Sequence, residues 1–162
     1  MKKFSHFFLL VIAICILTAC SNLKPQTEQY DGRELNIGIL GELPKIREDQ
    51  INFKKVQLSD LEKSDLSPIY DAIFIVQDSM PEGTQTKYIN YCKNSKIPFF
   101  FIGMERLGND QTYATGFIYK DNKSISWTYG FPENVVNDKN IKDVYTKIFQ
   151  DIYKNTIPHK KD

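Results

Sequence analysis

The chain has 162 residues, with 21 lysines and arginines against 20 aspartates and glutamates. This near-neutral balance provides no large basic surface, so a nucleic-acid partner is not expected. The chain is 41% hydrophobic and 13% aromatic. That is enough material for one buried core, which argues against general disorder, fibrous repeats and a disulfide-stapled miniprotein.

The N-terminus has the pattern of a secretory signal peptide. Lys2 and Lys3 precede an uncharged apolar run over residues 7–17. This run is shorter than the roughly 20 residues that span a bilayer comfortably, and small or polar residues follow it. The sequence therefore predicts a signal peptide over residues 1–19.

The end of this run, Leu17-Thr18-Ala19-Cys20, resembles the lipobox of bacterial lipoproteins. In that family the cysteine thiol receives a diacylglyceryl group, and a peptidase cuts just before the cysteine. The resemblance implies that Cys20 becomes an acylated N-terminus carrying fatty acids such as palmitate, with membrane lipid as its partner. Two acyl chains hold a protein far more firmly than one. The expected location is the extracytoplasmic face of the cell membrane.

The mature chain divides into three predicted parts. Residues 20–34 are polar after the cysteine and lack an apolar period, which predicts a flexible tether. Residues 35–156 are expected to form a single globular domain, and residues 157–162 a polar tail.

Cysteine and histidine usage excludes several kinds of active site. Cys92 is the only thiol left after the signal peptide and the acylated cysteine, and its spacing from Tyr88 places it on one face of a helix, which favours core packing. The histidines are His6, in the signal peptide, and His159, in the tail. Catalysis by Ser-His or Cys-His pairs and histidine-based zinc sites are therefore not expected, and no cofactor is predicted.

Apolar runs and helix signals alternate in the first part of the domain. The pattern predicts strands at Leu35 to Leu40, around Phe53 to Leu58, at Ala72 to Val76 and at Ile97 to Ile102. Helices are expected to begin at Pro44, at the capping box Ser59 to Glu62, and at Pro81.

The last part of the chain has a different pattern. Tyr113 to Tyr119 and Ser124 to Tyr129, joined by a short polar turn, predict an antiparallel hairpin. A helix follows from Asp138 to about Lys154, with an apolar stripe on one side and, on the other, the predicted ion pairs Asp138–Lys142 and Asp143–Lys147. Together the elements predict an α/β fold, a three-layer flavodoxin-like or Rossmann-like sandwich with a mostly parallel sheet and an edge hairpin. An α+β domain with a mixed sheet is the alternative.

Polar loops follow three of the predicted parallel strands. Because ligands of open α/β sheets bind beyond the carboxyl ends of the strands, these loops predict a ligand-binding cluster. Its carboxylates could hold a cation, or the loops could simply face water. The candidate residues are Glu42, Asp78, Ser79, Glu105 and Arg106.

The hairpin carries four aromatic residues, Tyr113, Tyr119, Trp127 and Tyr129. Exposed aromatic rings could stack on a glycan or a peptide. Alternating aromatic residues in a strand also commonly pack on the neighbouring layer.

These patterns favour a non-enzymatic interaction or sensing domain, with another envelope protein or an extracellular ligand as partner. Two alternatives remain open. One is a small ligand-binding accessory of a transporter. The other is a carboxylate-based enzyme that uses a metal or a flavin with Glu42, Asp78 and Glu105.

Overall fold

A computed structural model describes residues 27–62, 65–76, 85–103, 112–120 and 123–156. Within these ranges the chain forms six β-strands, two α-helices and two 3-10 helices. Their bounds are β1 Leu35–Leu40, β2 Ile51–Lys55, a 3-10 helix Leu58–Glu62, β3 Ala72–Val76, α1 Gln85–Asn94, β4 Phe99–Ile102, β5 Thr112–Lys120, β6 Lys123–Gly130, a 3-10 helix Pro132–Asn134 and α2 Asp138–Asn155.

The strands form one sheet in the order β2-β1-β3-β4-β5-β6. The first four strands run parallel, whereas β5 is antiparallel to β4 and β6 is antiparallel to β5. The fold is therefore of the α/β type, as predicted, but the prediction of a mostly parallel sheet is wrong because the sheet is mixed. The physical reason is that the two hairpin strands are themselves part of the sheet. Its first strand pairs with β4 and continues the sheet in the antiparallel sense.

Gly116 makes this β4–β5 pairing possible. It lies opposite Phe100 in the register, and a Cβ atom at Gly116 would lie 2.4 Å from the Phe100 ring. The same ring stacks on Trp127 of β6, with the centroids 5.9 Å apart. The absence of a side chain at one position therefore lets two aromatic rings pack across three strands.

Both faces of the sheet are covered. The face that packs on α2, here the α2 face, has an aromatic-rich core of Phe74, Phe100, Tyr145 and Phe149. The opposite face, here the α1 face, packs Ile73, Ile75 and Phe99 against Tyr88 and Cys92 of α1. β3 contributes buried residues to both cores, as its unbroken apolar sequence predicts for a central strand.

The final helix begins where the sequence indicates. The Asn137 side chain caps α2 by accepting a hydrogen bond from the backbone N–H of Asn140, at 2.8 Å. The buried stripe includes Phe149, which is fully buried, whereas Tyr153 is 47% exposed. The helix ends at Asn155, and the backbone N–H of the C-cap residue Thr156 bonds to the carbonyl of Ile152.

The N-terminal segment joins the folded domain before β1. The sequence predicted a tether over residues 20–34, of which the structure describes residues 27–34. Tyr30 is only 2% exposed and packs edge-on against Phe149 of α2. Its hydroxyl donates to the carbonyl of Arg33 at 2.7 Å. From Tyr30 onward this segment therefore packs on the folded domain.

The helices of the described ranges do not have the length and apolar content needed to cross a bilayer.

Candidate binding site at the carboxyl edge of the sheet

One of the five residues of the predicted loop cluster is described. Glu42 follows β1, with its side chain 95% exposed and its carboxylate 3.9 Å from the ammonium group of Lys55. An exposed pair of this kind contributes little to stability. Asp78, Ser79, Glu105 and Arg106 lie outside the described residues, as does Cys20.

The four hairpin aromatics do not form one exposed platform. Tyr119 lies on the α1 face, where the Lys93 ammonium sits 5.8 Å from its ring centroid. Tyr113, Trp127 and Tyr129 all pack against the core of the α2 face.

Tyr129 and Trp127 serve mainly as packing residues. Tyr129 is 7% exposed, and its hydroxyl donates to the Asp151 carboxylate of α2 at 2.8 Å. Burial, and then this hydrogen bond, raise the pKa of Tyr129 above its ordinary value. Both rings therefore fix β6 to the layer beneath it.

Tyr113 has a different environment because of a β-bulge. The register of β5 against β6 shifts between Thr112 and Ala114, which leaves Tyr113 unpaired. A bulge turns consecutive side chains toward the same face of a sheet. Tyr113 accordingly packs toward α2, with its ring 4.8 Å from Phe131 and 6.4 Å from Tyr145 between centroids.

Beside these two tyrosines lies a cavity of about 210 Å³. We call it the edge cavity, and its walls are Pro44, Lys45, Tyr113, Asp138, Ile141, Lys142 and Tyr145. The four helix residues stand at positions i, i+3, i+4 and i+7 and so share one side of the first turns of α2. β6 points in the same direction as the parallel strands, because it is antiparallel to β5 and β5 is antiparallel to β4. The start of α2, which follows β6, and the loop of Lys45, which follows β1, therefore both lie at the carboxyl edge of the parallel strands. This is the edge where α/β sheets bind ligands.

The edge cavity combines aromatic hydroxyls with unpaired charges. The predicted ion pair between Asp138 and Lys142 is not formed, and within the described ranges neither residue has an ion pair, nor does Lys45. Tyr145 is 4% exposed. Burial, and then the neighbouring Tyr113 hydroxyl, raise the pKa of Tyr145, so it remains a neutral hydrogen-bonding group.

A buried network holds the loop that carries Lys45. Residues 41–50 are irregular rather than helical as predicted from Pro44. Arg47 of this loop donates to Asp143 and to the Thr146 hydroxyl, both at 2.7 Å. Glu48, which is 3% exposed, accepts a hydrogen bond from the same hydroxyl. The loop is therefore fixed to α2, and the predicted pair Asp143–Lys147 is replaced because Asp143 contacts Arg47 and Lys139 instead.

A wider groove lies along another side of α2. It has a volume of about 860 Å³ and runs between the N-terminal segment, the loop before α2 and the helix. Its lining is Thr27, Glu28, Pro132, Glu133, Val135, Asn137, Lys139, Asn140, Asp143, Lys147 and Gln150. Most of these side chains are polar and solvent-facing, whereas Tyr113, Ile141 and Tyr145 give the edge cavity the larger apolar share that is typical of small-ligand sites.

The titratable side chains in the described part of the chain also bear on metal and thiol chemistry. There, three or more histidine, cysteine, aspartate or glutamate side chains do not come together as a metal site would require. Burial raises the pKa of Cys92 to about 12, so its thiol stays protonated at neutral pH and is a poor nucleophile.

Sequence reasoning identified Tyr113 as a candidate but missed Lys45, Asp138, Lys142 and Tyr145. The bulge that turns Tyr113 inward carries no sequence signal as specific as a capping box. The spacing of Asp138, Ile141, Lys142 and Tyr145 indicates a shared helix side, yet it does not indicate which loop faces that side.

Comparison of the chain with protein-family models, with curated proteins and with solved structures found no match.

Proposed function

We propose that the protein is a lipid-anchored extracytoplasmic domain with a sensing or interaction role, which binds a small organic anion in the edge cavity. The observation that carries the ligand-binding part is the chemistry of this cavity. Two tyrosines, one aspartate and two lysines that have no ion pair among the described residues line a space of about 210 Å³.

The charge of the cavity favours an anion. Lys45 and Lys142 supply two positive charges and Asp138 one negative charge, so the lining has a net charge of +1. Tyr113 and Ile141 add apolar surface. A carboxylate attached to an apolar body would match both properties, because the carboxylate would pair with lysine while the body packs on the rings.

The fold supports this location. The order β2-β1-β3-β4 is that of the first strands of flavodoxin-like sheets, and we propose that the domain is a three-layer variant of that arrangement. In such sheets the strand order reverses next to β1, and ligands bind beyond the carboxyl ends there. Lys45 lies in the loop that leaves β1 at this point.

The anchor rests on the lipobox resemblance at Cys20. Tyr30 stands ten positions after Cys20 and is the first core residue in the described part of the chain. A fully extended chain of that length spans about 35 Å. The domain would thus remain close to the membrane surface, where an envelope protein could act as its partner.

The ligand proposal can be tested by calorimetric titration of the full chain in detergent with benzoate and with its neutral analogue benzamide. We expect saturable binding of benzoate and none of benzamide. Lys142→Gln should weaken benzoate binding about tenfold, because a charge-assisted hydrogen bond is worth roughly 1.5 kcal/mol or more. The matched control is Lys154→Gln, which removes the same charge from the last turn of α2. Equal binding of the two probes, or equal losses in the two variants, would refute an anion site here.

The anchor proposal has a separate test. Labelling growing cells with a palmitate analogue should mark the wild-type chain, and Cys20→Ser should abolish the label. A Cys92→Ser chain should be labelled normally. Labelling that survives Cys20→Ser would mean that the proposal of acylation at Cys20 is wrong. That result would not affect the ligand proposal for the edge cavity.

A further inference from the structure

β6 is the longer of the two edge strands of the sheet. It spans eight residues, Lys123–Gly130, and stands last in the strand order. β5 pairs with it along one side. Within the described residues no strand lies on the other side, so a row of backbone N–H and C=O groups faces outward.

Among the described residues, the opposite edge has protecting features that β6 lacks. β2 has five residues and ends in Lys54 and Lys55, and the side chain of Asn52 donates to Glu34 of the neighbouring segment. Proteins commonly protect sheet edges with short strands, lysines, prolines or inward charges. β6 contains no proline, and its one charged residue, Lys123, is at the very start.

The side chains of β6 leave apolar surface uncovered. On the α2 face, Tyr129 is buried, Trp127 is half-buried and Ile125 is 43% exposed. The apolar cover provided by α2 thus decreases from Tyr129 toward Ile125. On the α1 face, Ser124, Ser126 and Thr128 are exposed and uncharged.

We propose that β6 pairs in the antiparallel sense with β6 of a second copy of this chain, about a two-fold axis at Ser126. Such an axis, perpendicular to the sheet, keeps each face continuous across the two copies. The result would be one twelve-stranded sheet, and the outward backbone groups of both edges would be satisfied.

The sequence of β6 is self-complementary in this register. Ile125 would lie opposite the partner's Trp127, and Ser124 opposite the partner's Thr128. Aromatic residues beside β-branched residues, and Ser or Thr beside Thr, are favourable cross-strand pairs. Lys123 would lie opposite the partner's Tyr129, so like charges are not placed against each other. This complementarity favours a second copy over an unrelated extended peptide.

A cysteine at the axis provides a direct test. In the full chain reconstituted into lipid vesicles, Ser126→Cys would place two thiols on directly opposite residues, within the separation that a disulfide tolerates. The matched control is Ser124→Cys, on the same face and equally exposed. Its thiols would be four residues out of register, about 13 Å apart. On mild oxidation we expect covalent dimer to form about tenfold faster with Ser126→Cys than with Ser124→Cys. The parent chain reports any background from its own cysteines.

A second variant tests the same surface without oxidation. Ser126→Lys places two like charges opposite each other and should convert the dimer to monomer in sedimentation equilibrium, whereas Lys54→Ser on the β2 edge should leave the dimer intact. Equal crosslinking of the two cysteine variants, or a wild-type chain that sediments as a monomer at all concentrations, would overturn the proposal. Faster crosslinking of Ser124→Cys would overturn the register.

Discussion

The two ends of the parallel strands use charged residues in opposite ways. At the amino edge, the guanidinium of Arg33 donates to the Asp71 carboxylate at 2.6 Å and to the Thr156 hydroxyl at 3.1 Å. Asp71, which is 1% exposed, also accepts the backbone N–H of Asn36 at 2.8 Å. At the carboxyl edge, Lys45 and Lys142 face a cavity and have no ion pair within the described residues.

This difference separates structural charges from candidate functional ones. A buried carboxylate with several donors cannot release them without a large cost in free energy, so it holds the fold together. A lysine that keeps its hydration beside a cavity can bind an anion without breaking an existing contact. The contrast makes the carboxyl edge the better candidate for recognition, and the following predictions can break or sharpen it.

The largest expected effect is at the amino edge. Asp71→Ala should lower the free energy of unfolding by about 3 kcal/mol, because it leaves the Arg33 guanidinium and the Asn36 N–H without their acceptor. The measurement is urea unfolding followed by circular dichroism. Asp138→Ala, at the cavity, should cost less than about 1 kcal/mol, the scale of an acidic residue in the first turn of a helix. Similar losses in the two variants would remove the distinction between the edges.

An intermediate effect is expected where the cavity loop meets α2. Thr146→Val keeps the side-chain shape but removes the hydroxyl that bonds with Arg47 and Glu48, and should cost about 2 kcal/mol. Because this network positions Lys45, the variant should also bind benzoate more weakly. Loss of stability with unchanged benzoate affinity would show that the loop does not need this support to form the cavity.

The smallest effect is expected at an exposed pair near the amino edge. Lys96 lies 2.9 Å from Asp65, and its hydrogen bond, followed by those from Ser67, lowers the pKa of Asp65 to about 2. Since the folded-state pKa is lowered, any stabilisation is present above the ordinary value of 3.8 and is lost as the pH falls through about 2. Both partners are exposed, so solvent screening keeps the contribution small.

The exposed pair Lys96–Asp65 can be compared with the buried pair Arg33–Asp71 by measuring the pKa of Asp65 in an NMR titration. Lys96→Ala should raise the pKa of Asp65 toward its ordinary value and, by linkage, lower the stability at neutral pH, but by much less than Asp71→Ala does, because the pair is exposed. A loss of stability comparable with that of Asp71→Ala would indicate that exposure does not distinguish the two pairs.

Local patterns predicted much of the fold. The uniform apolar sequence of β3 predicted a strand buried on both faces, and the spacing of Tyr88 and Cys92 predicted one buried side of α1. Each of these signals lies within a few residues of the chain. The mixed sheet was predicted only as the alternative, because the register of Phe100 against Gly116 depends on a pairing between distant segments.

The edge cavity was beyond sequence reasoning for the same reason. Arg47 and Asp143 are 96 residues apart in the chain, and helical spacing favoured Lys147 as the partner of Asp143. Only the folded structure brings Arg47 to Asp143. The sequence indicated the carboxyl edge as the place for a ligand, but not the residues that line it.

The most direct test of the central claim is to locate bound anion on the full chain. Photolysis with 4-azidobenzoate, followed by peptide mass spectrometry, should give adducts on the segments that contain Lys45, Tyr113 and Tyr145, and excess benzoate should suppress them while benzamide should not. Adducts that concentrate elsewhere, such as along β6 or in the wider groove, or adducts that benzoate does not suppress, would contradict the assignment of the edge cavity as the ligand site.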